Sequence, residues 1–332
     1  MLKRITVALA LLLLVPGLAL ATCNGQDLRR DLSPQDRAAV AASMADVPFA
    51  EGNHWVAKQG ARTIHLIGTV HISSDRLTPI TEQLQPIIAG ADVLFLESTP
   101  DEIAKMQDHL ARDPELTFIT EGPTLIDRLP AGDWEILSQK AKEAGIPSWV
   151  AAKMRPWFLA TALSLPACLR ADPNVEYGLD KRLAAVANDV NIPTASLEDP
   201  LDVIRMLDRD PLEEQLRQMR PYIALIGGGE DGEDGIATML AAYFDERVAE
   251  YLEISRTEFL NGSTTSTGEA DKIWTDLMAR LLKERNTTWM PVIESFEGNT
   301  IAVAVGALHL PGEFGLLNLL SDAGYSIERA AF

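Results

Sequence analysis

The chain has 332 residues, of which 47% are hydrophobic and 23% charged, enough apolar material for a large folded core and far from a disordered composition. Its formal net charge of −19 disfavours polyanionic partners, so nucleic acid and anionic membrane surfaces are excluded as general ligands. No dense Lys/Arg run after the first residues offsets that balance.

Lys3 and Arg4, then the apolar run Ile5 to Leu14, the helix-breaking Pro16-Gly17 and the small residues Ala19 and Ala21 have the layout of an export signal, expected to span residues 1–21. The apolar run is short for a membrane span, which needs about 20 residues. The remaining chain, residues 22–332, is then expected to be one periplasmic or secreted domain with no membrane span. An uncleaved membrane anchor and lipid attachment at Cys23 are the alternatives to simple export. Export also bears on the two cysteines, Cys23 and Cys168, which are expected to form a disulfide in an oxidising compartment.

Ser33-Pro34-Gln35-Asp36 carries the signals of a helix start, with Ala38, Ala41 and Met44 on one side. Asn53 to Gly60 and Arg62 to Gly68 read as a β-hairpin turning at Gln59-Gly60-Ala61. The buried strand Thr63 to Ile67 is followed by Gly68-Thr69-Val70-His71 and an amphipathic helix from Leu77 to Ile88, where Pro86 threatens an early stop. Ala91 to Glu97 is an almost unbroken apolar strand that ends in a carboxylate. Such a group is costly at a buried strand end unless it is paired or bound to a cation.

Asp101 to Leu169 is helical in pattern, with Trp134, Leu137, Trp149, Trp157 and Phe158 as expected core. A helix at Lys181–Val190 and a short strand ending in Glu198 follow. Further helices are expected at Asp199–Leu225, Ile236–Leu260 and Ile273–Phe296, the second of these after an acidic loop at 227–235. Thr300 to Val305 is a second strand that ends in Gly-x-x-His, here Gly306-Ala307-Leu308-His309, again followed by a helix. The class is therefore α/β: a mostly buried mixed sheet flanked by helices, with a large helical insertion, built from two strand, Gly-x-x-His, helix halves.

The chain has no Gly-x-Ser-x-Gly elbow, Walker A loop or His-Glu-x-x-His helix. What remains is His71, Glu97 and His309, each at a strand end, where open α/β sheets place ligand-contacting groups. Two imidazoles and a carboxylate suffice for a catalytic metal site with open positions. His65 alternates with apolar neighbours and is expected to be structural; His54 and His109 are expected at the surface.

The segments Leu66-Ile-Gly-Thr-Val-His71, Leu94-Phe-Leu-Glu97, Gly178-Leu-Asp180, Leu197-Glu198, Glu284-Arg-Asn286 and Gly306-Ala-Leu-His309-Leu-Pro-Gly312 resemble the TraB/GumN family, related to the TIKI metalloproteases of the EreA/ChaN-like superfamily, which cleave the amino terminus of Wnt proteins. The resemblance implies an active site of His71, Glu97 and His309 around a divalent ion, manganese or cobalt rather than zinc. It implies that Arg285 orients a substrate carbonyl, steadies Glu97 or forms a buried ion pair. Asp180, Glu198 and Asn286 are implied as supporting groups behind the ligands. The function so implied is an exported metal-dependent hydrolase acting on a peptide or a small amide or ester. The competing account is a non-catalytic exported protein that sequesters a peptide or saccharide in the same cleft.

Overall fold

The structure, a computed structural model, describes residues 25–164, 166–170, 177–227 and 232–332. The expected leader, Cys23 and part of the acidic loop lie outside the described residues, and with Cys23 the expected disulfide; Cys168 itself is buried.

Six strands form one mixed sheet: β1 (His54–Gln59), β2 (Arg62–Thr69), β3 (Val93–Leu96), β4 (Thr194–Ser196), β5 (Thr300–Gly306) and β6 (Ser326–Arg329). Their spatial order is β4-β3-β5-β2-β1-β6. The pairs β2–β5, β5–β3 and β3–β4 are parallel, while β1 runs antiparallel to both β2 and β6. The parallel strands β3 and β5 are covered on both faces, which explains why they read as continuous apolar runs without alternation.

The pleat nevertheless sorts their side chains. Val93, Phe95, Val303 and Val305 pack on one face with Trp55, Ile64, Leu66, Trp289, Leu316 and Leu320. Leu94, Leu96, Ala302 and Ala304 pack on the other with Ile67, Leu84, Ile88, Leu183 and Tyr243. Each fully buried large aliphatic side chain contributes about 1.5–3 kcal/mol relative to an exposed one, so these two layers fix the register of the central strands. A third cluster, including Leu125, Leu137, Met154, Leu159, Leu216 and Ile223, belongs to helices inserted after β3 and β4.

Local differences from the sequence reading have identifiable causes. Pro86 sits inside the helix Leu77–Ala89 without ending it. The helix expected over Ile236–Leu260 is two, Glu233–Phe244 and Val248–Gly262. Glu246 breaks it at φ 58°, where its carbonyl accepts from Gly52 N–H and its carboxylate from Asn53 N–H, so tertiary contacts with the β1 entry override helical continuity. The helix Pro34–Met44 is capped by Ser33 as expected but buries Val40, leaving Ala38 and Ala41 exposed. Trp149 is 72% exposed; its short helix Ser148–Ala151 buries Ala151 instead. His54 is buried rather than on the surface, because β1 lies between β2 and β6 and the chain end covers it: Ala330 N–H donates to its carbonyl, and His54 Nδ1 pairs with Ala331 O. His65 is its neighbour across the hairpin, with His54 Nε2 and His65 Nδ1 3.3 Å apart.

Candidate active site

Adjacent parallel strands place their carboxyl ends at the same edge of a sheet. Because β5 lies between β2 and β3, the ends of three strands converge although Glu97 and Gly306 are 209 residues apart in sequence. Thr69 is registered with Gly306, so the two Gly-x-x-His turns leave the sheet side by side. His71 Nε2 lies 4.0 Å and His309 Nε2 3.8 Å from the same atom, Glu97 Oε1. That oxygen also accepts from Gly306 N–H at 2.7 Å. A β-carbon added to Gly306 would stand 3.2 Å from Glu97 Oε1 and 3.7 Å from His71 Nε2, so the glycine keeps the middle of the site open.

The second glycine that matters precedes the helix Leu179–Asp189. Gly178 lies so close to the first Gly-x-x-His turn that an added β-carbon would meet Val70 O at 2.1 Å and His71 Cα at 2.6 Å. This contact lets Leu179 N–H donate to Val70 O at 2.9 Å and sets Asp180 Oδ1 3.2 Å from His71 Nδ1. Tyr243, fully buried, donates to Gly68 O and braces the turn from behind.

The other wall comes from one helix. A π-helical segment, Ala279–Glu284, runs directly into the helix Arg285–Ser295. Such segments re-aim the side chains that follow them and recur at functional sites. Arg285 then reaches three groups. Its Nη2 donates to Glu97 Oε2 at 2.5 Å and to Glu198, its Nε donates to both Glu198 oxygens at 3.1 Å, and its Nη1 lies 3.2 Å from His309 Nε2. Trp289, one turn later, donates to Glu198 Oε2 and packs its indole against the His309 ring, centroids 4.4 Å apart.

Asn286 determines the state of His309. Its Nδ2 donates to His309 O and Phe314 O, so its Oδ1 is the atom 2.6 Å from His309 Nδ1. Nδ1 therefore carries the ring proton, and the lone pair of Nε2 points at Glu97 and Arg285. Burial holds this imidazole far down, at about 3, with Arg285 and His71 adding to the shift against Glu97, so it is neutral at physiological pH. Burial works against the charge of Glu97 too. There His309, the Arg285 guanidinium, His71 and Gly306 N–H outweigh it and hold the carboxyl at about 2. His71 is the open member, with 62% of its side chain exposed, and its contact with Asp180 outweighs desolvation and raises it to about 9.

All seven residues singled out in the sequence, His71, Glu97, Asp180, Glu198, Arg285, Asn286 and His309, thus fall in one cluster. Gly178 enters the sequence reading only as part of the segment Gly178-Leu-Asp180, without a role, and Tyr243 and Trp289 do not enter it. Trp289 had a usable signal, since it lies four residues after Arg285 on the same helical face. Tyr243 had none, because its place under Gly68 depends on the break at Glu246.

A profile of the TraB/PrgY/gumN family matches residues 53–329, a span that takes in every residue of this cluster. The chain belongs to the TraB/PrgY/gumN family. The uncharacterized protein YbaP of Escherichia coli (strain K12) is 24% identical over 277 residues, 81% of this chain and 94% of YbaP; YbaP of Shigella flexneri matches to the same extent. In this member of the TraB/PrgY/gumN family, no helix among the described residues is long and apolar enough to cross a membrane.

The donor set can be tested against a divalent ion. Three carboxylates, Glu97, Glu198 and Asp180, face one guanidinium and, below about pH 9, the His71 imidazolium, so the cluster keeps one uncompensated negative charge and gains a second when His71 gives up its proton to an ion. His309 Nδ1 is hydrogen-bonded to Asn286 and His71 Nδ1 lies in a 3.2 Å ion-pair contact with Asp180 Oδ1, an otherwise unpaired buried oxygen, so both Nε2 atoms are directed at Glu97 as an ion would require. The separations are wider than for ligands of one ion. Bonds of about 2.1 Å put neighbouring ligands roughly 3.0–3.5 Å apart, and among the described residues no three His, Cys, Asp or Glu side chains are drawn up that closely. The residues fit in kind, charge and tautomer. Enclosing an ion requires a contraction of roughly half an ångström and the departure of Arg285 from His309 Nε2.

Proposed function

We propose that the protein is an exported metal-dependent hydrolase acting on a peptide or a small amide or ester, with His71, Glu97 and His309 as ligands of a divalent ion, manganese or cobalt rather than zinc. The observation that carries this reading is the orientation of two histidine Nε2 atoms, each with its Nδ1 partnered, toward one oxygen of a strand-end glutamate. An ion held there supplies Lewis acidity that polarises a carbonyl and acidifies water near neutral pH.

The chain's own groups divide the remaining work. Glu97, held at about 2, is a permanent carboxylate and a poor proton acceptor near neutrality, which favours a ligand role over a general base. His309 enters as a neutral ligand already oriented by Asn286 and the Trp289 indole. Arg285 bridges Glu97 and Glu198, and on this reading the Nη1 donor it turns to His309 Nε2 would be released to a substrate carbonyl oxygen when His309 takes the ion. Export and the Cys23–Cys168 disulfide belong to the same proposal and rest on the sequence; lipid attachment at Cys23 is the alternative and would exclude the disulfide.

A second reading has one observation in its favour. Arg285 already occupies His309 Nε2 at 3.2 Å, as it would in a site that captures a peptide or saccharide without a metal. Metal analysis separates the two. Purified protein dialysed against trace Mn²⁺ or Co²⁺ should retain close to one ion per chain and lose it in both His71→Ala and His309→Ala. Metal-free protein that binds ligand equally well in both variants would establish the second reading.

A further inference from the structure

The strand β4 ends the sheet, with β3 on one side and no strand on the other. Along a parallel ladder successive residues point their backbone groups alternately to either neighbour. Leu94 N–H donates to Pro193 O and Leu197 N–H to Leu96 O, so Pro193, Ala195 and Leu197 face β3 while Thr194 and Ser196 face outward. Among the described residues no group pairs with the backbone N–H or C=O of Thr194 or Ser196. β4 is only three residues long and follows Pro193, devices that limit pairing at an edge, and the Ser196 side chain is engaged by Thr99 N–H and Glu102, so exposed Thr194 is the open position of that edge.

Beside that edge lies a cavity of about 540 Å³, walled by Ser196 to Asp199 and by Glu102, Lys105, Met106 and His109 of the helix Pro100–Arg112. The four helix residues are spaced as a single helical face. This helix of 13 residues buries none of its side chains, although Ile103, Met106 and Leu110 give it apolar surface. An element whose inner face meets a cavity instead of a core is left incompletely covered. The cavity and the active site share Glu198: its carboxylate holds Arg285, and its N–H donates to the carbonyl of Glu97. With Glu198 held by Arg285, the remaining carboxylates of the lining, Glu102 and Asp199, stand against Lys105 and leave the cavity open to neutral or cationic groups.

We infer that an extended peptide docks as an added strand on the open edge of β4, seats a side chain in the cavity under the helix Pro100–Arg112, and runs past Glu198 into the Glu97 centre. Backbone donors and acceptors in a row recognise another extended main chain, and a pocket beside them selects alternate side chains. The inference rests on the hydrolase reading only for what happens to the peptide once bound.

The test uses a fluorescein-labelled octapeptide of alternating valine and lysine, with fluorescence anisotropy on metal-free protein. Residues of a strand that face one edge recur every second position. N-methylation of all valines or of all lysines should therefore abolish binding in one isomer and leave it within about twofold in the other. Thr194→Pro, tolerated because the N–H it removes faces outward, should weaken binding about tenfold. The methylated peptides leave the protein untouched, so a folding defect in the variant does not decide the matter. No binding of the parent peptide, equal behaviour of the two isomers, or full affinity in folded Thr194→Pro would each overturn the inference. Because binding is read without metal, a protein that proves to bind no ion leaves this result intact, and failed docking leaves the metal analysis intact.

Discussion

Replacing Arg285 by methionine keeps the length and apolar stem of the side chain and deletes the guanidinium that joins Glu97, Glu198 and His309. The Glu97 and Glu198 side chains are only 19% and 11% exposed, so each loses its charge partner with little water to replace it. Removing one partner of a buried ion pair costs about 3–5 kcal/mol. Titration leads to a similar size. Glu97 is held at about 2 against an ordinary 4.5. That difference corresponds to about 3 kcal/mol of stability. Arg285 supplies part of it, and the stranded Glu198 adds to the loss. The sign follows from the direction of the shift. A carboxyl whose folded pKa is depressed contributes fully above its unfolded pKa, and that contribution is lost as pH falls from about 4.5 toward 2. Without Arg285 the same carboxyl gains a proton more readily in the fold, so the penalty of Arg285→Met should shrink between pH 7 and pH 4. Urea unfolding of EDTA-treated protein measures both values. A penalty below 1 kcal/mol at pH 7, or one that does not change with pH, would refute the argument that this guanidinium compensates two buried charges.

Asn286→Ala removes the acceptor that fixes the His309 proton on Nδ1 and strands that N–H, and should lower Mn²⁺ affinity about 10- to 100-fold; calorimetric titration at pH 7.5 checks this, and unchanged affinity counts against the tautomer argument. Gly178→Ala forces a β-carbon to within 2.1 Å of Val70 O, so the first Gly-x-x-His turn and the helix start must separate. The expected cost is about 1–3 kcal/mol of overpacking, with loss of metal affinity as His71 is displaced; a variant as stable as the parent shows that the contact is softer than its geometry. Asp180 raises His71 to about 9, so in metal-free protein near neutral pH an incoming ion must displace a proton. Mn²⁺ affinity should therefore climb with pH up to about 9 in the parent, and the climb should end at lower pH in Asp180→Asn. Identical pH profiles for the two proteins would contradict this.

The parts of the fold that could be read from the sequence are those in which a short stretch carries its own physics. The apolar runs before Gly68, Glu97 and Gly306 read as buried strands, and strand ends are where such sheets place ligand-contacting groups, which is why His71, Glu97 and His309 stand out in the sequence. Arg285 and Asn286 entered through resemblance, and their geometry depends on the π segment at Ala279–Glu284, which helical periodicity does not reveal. His54 was misjudged because its burial comes from Ala330 and Ala331 at the far end of the chain. Trp149 was misjudged because residue type alone implied burial, whereas its short helix turns Ala151 inward. Tertiary partners decide these cases, and local sequence carries no trace of them.

The strand that separates β2 from β3 is contributed by the last tenth of the chain. A ribosome-bound or truncated intermediate ending before Thr300 has a gap at the centre of its sheet, with His71 and Glu97 held by strands that do not touch. The late insertion of β5 supplies His309 and the Gly306 N–H that anchors Glu97 in a single event. A chain of this design assembles the His71, Glu97 and His309 cluster only when β5 pairs with β2 and β3 across more than 200 residues, a slow step by its topology.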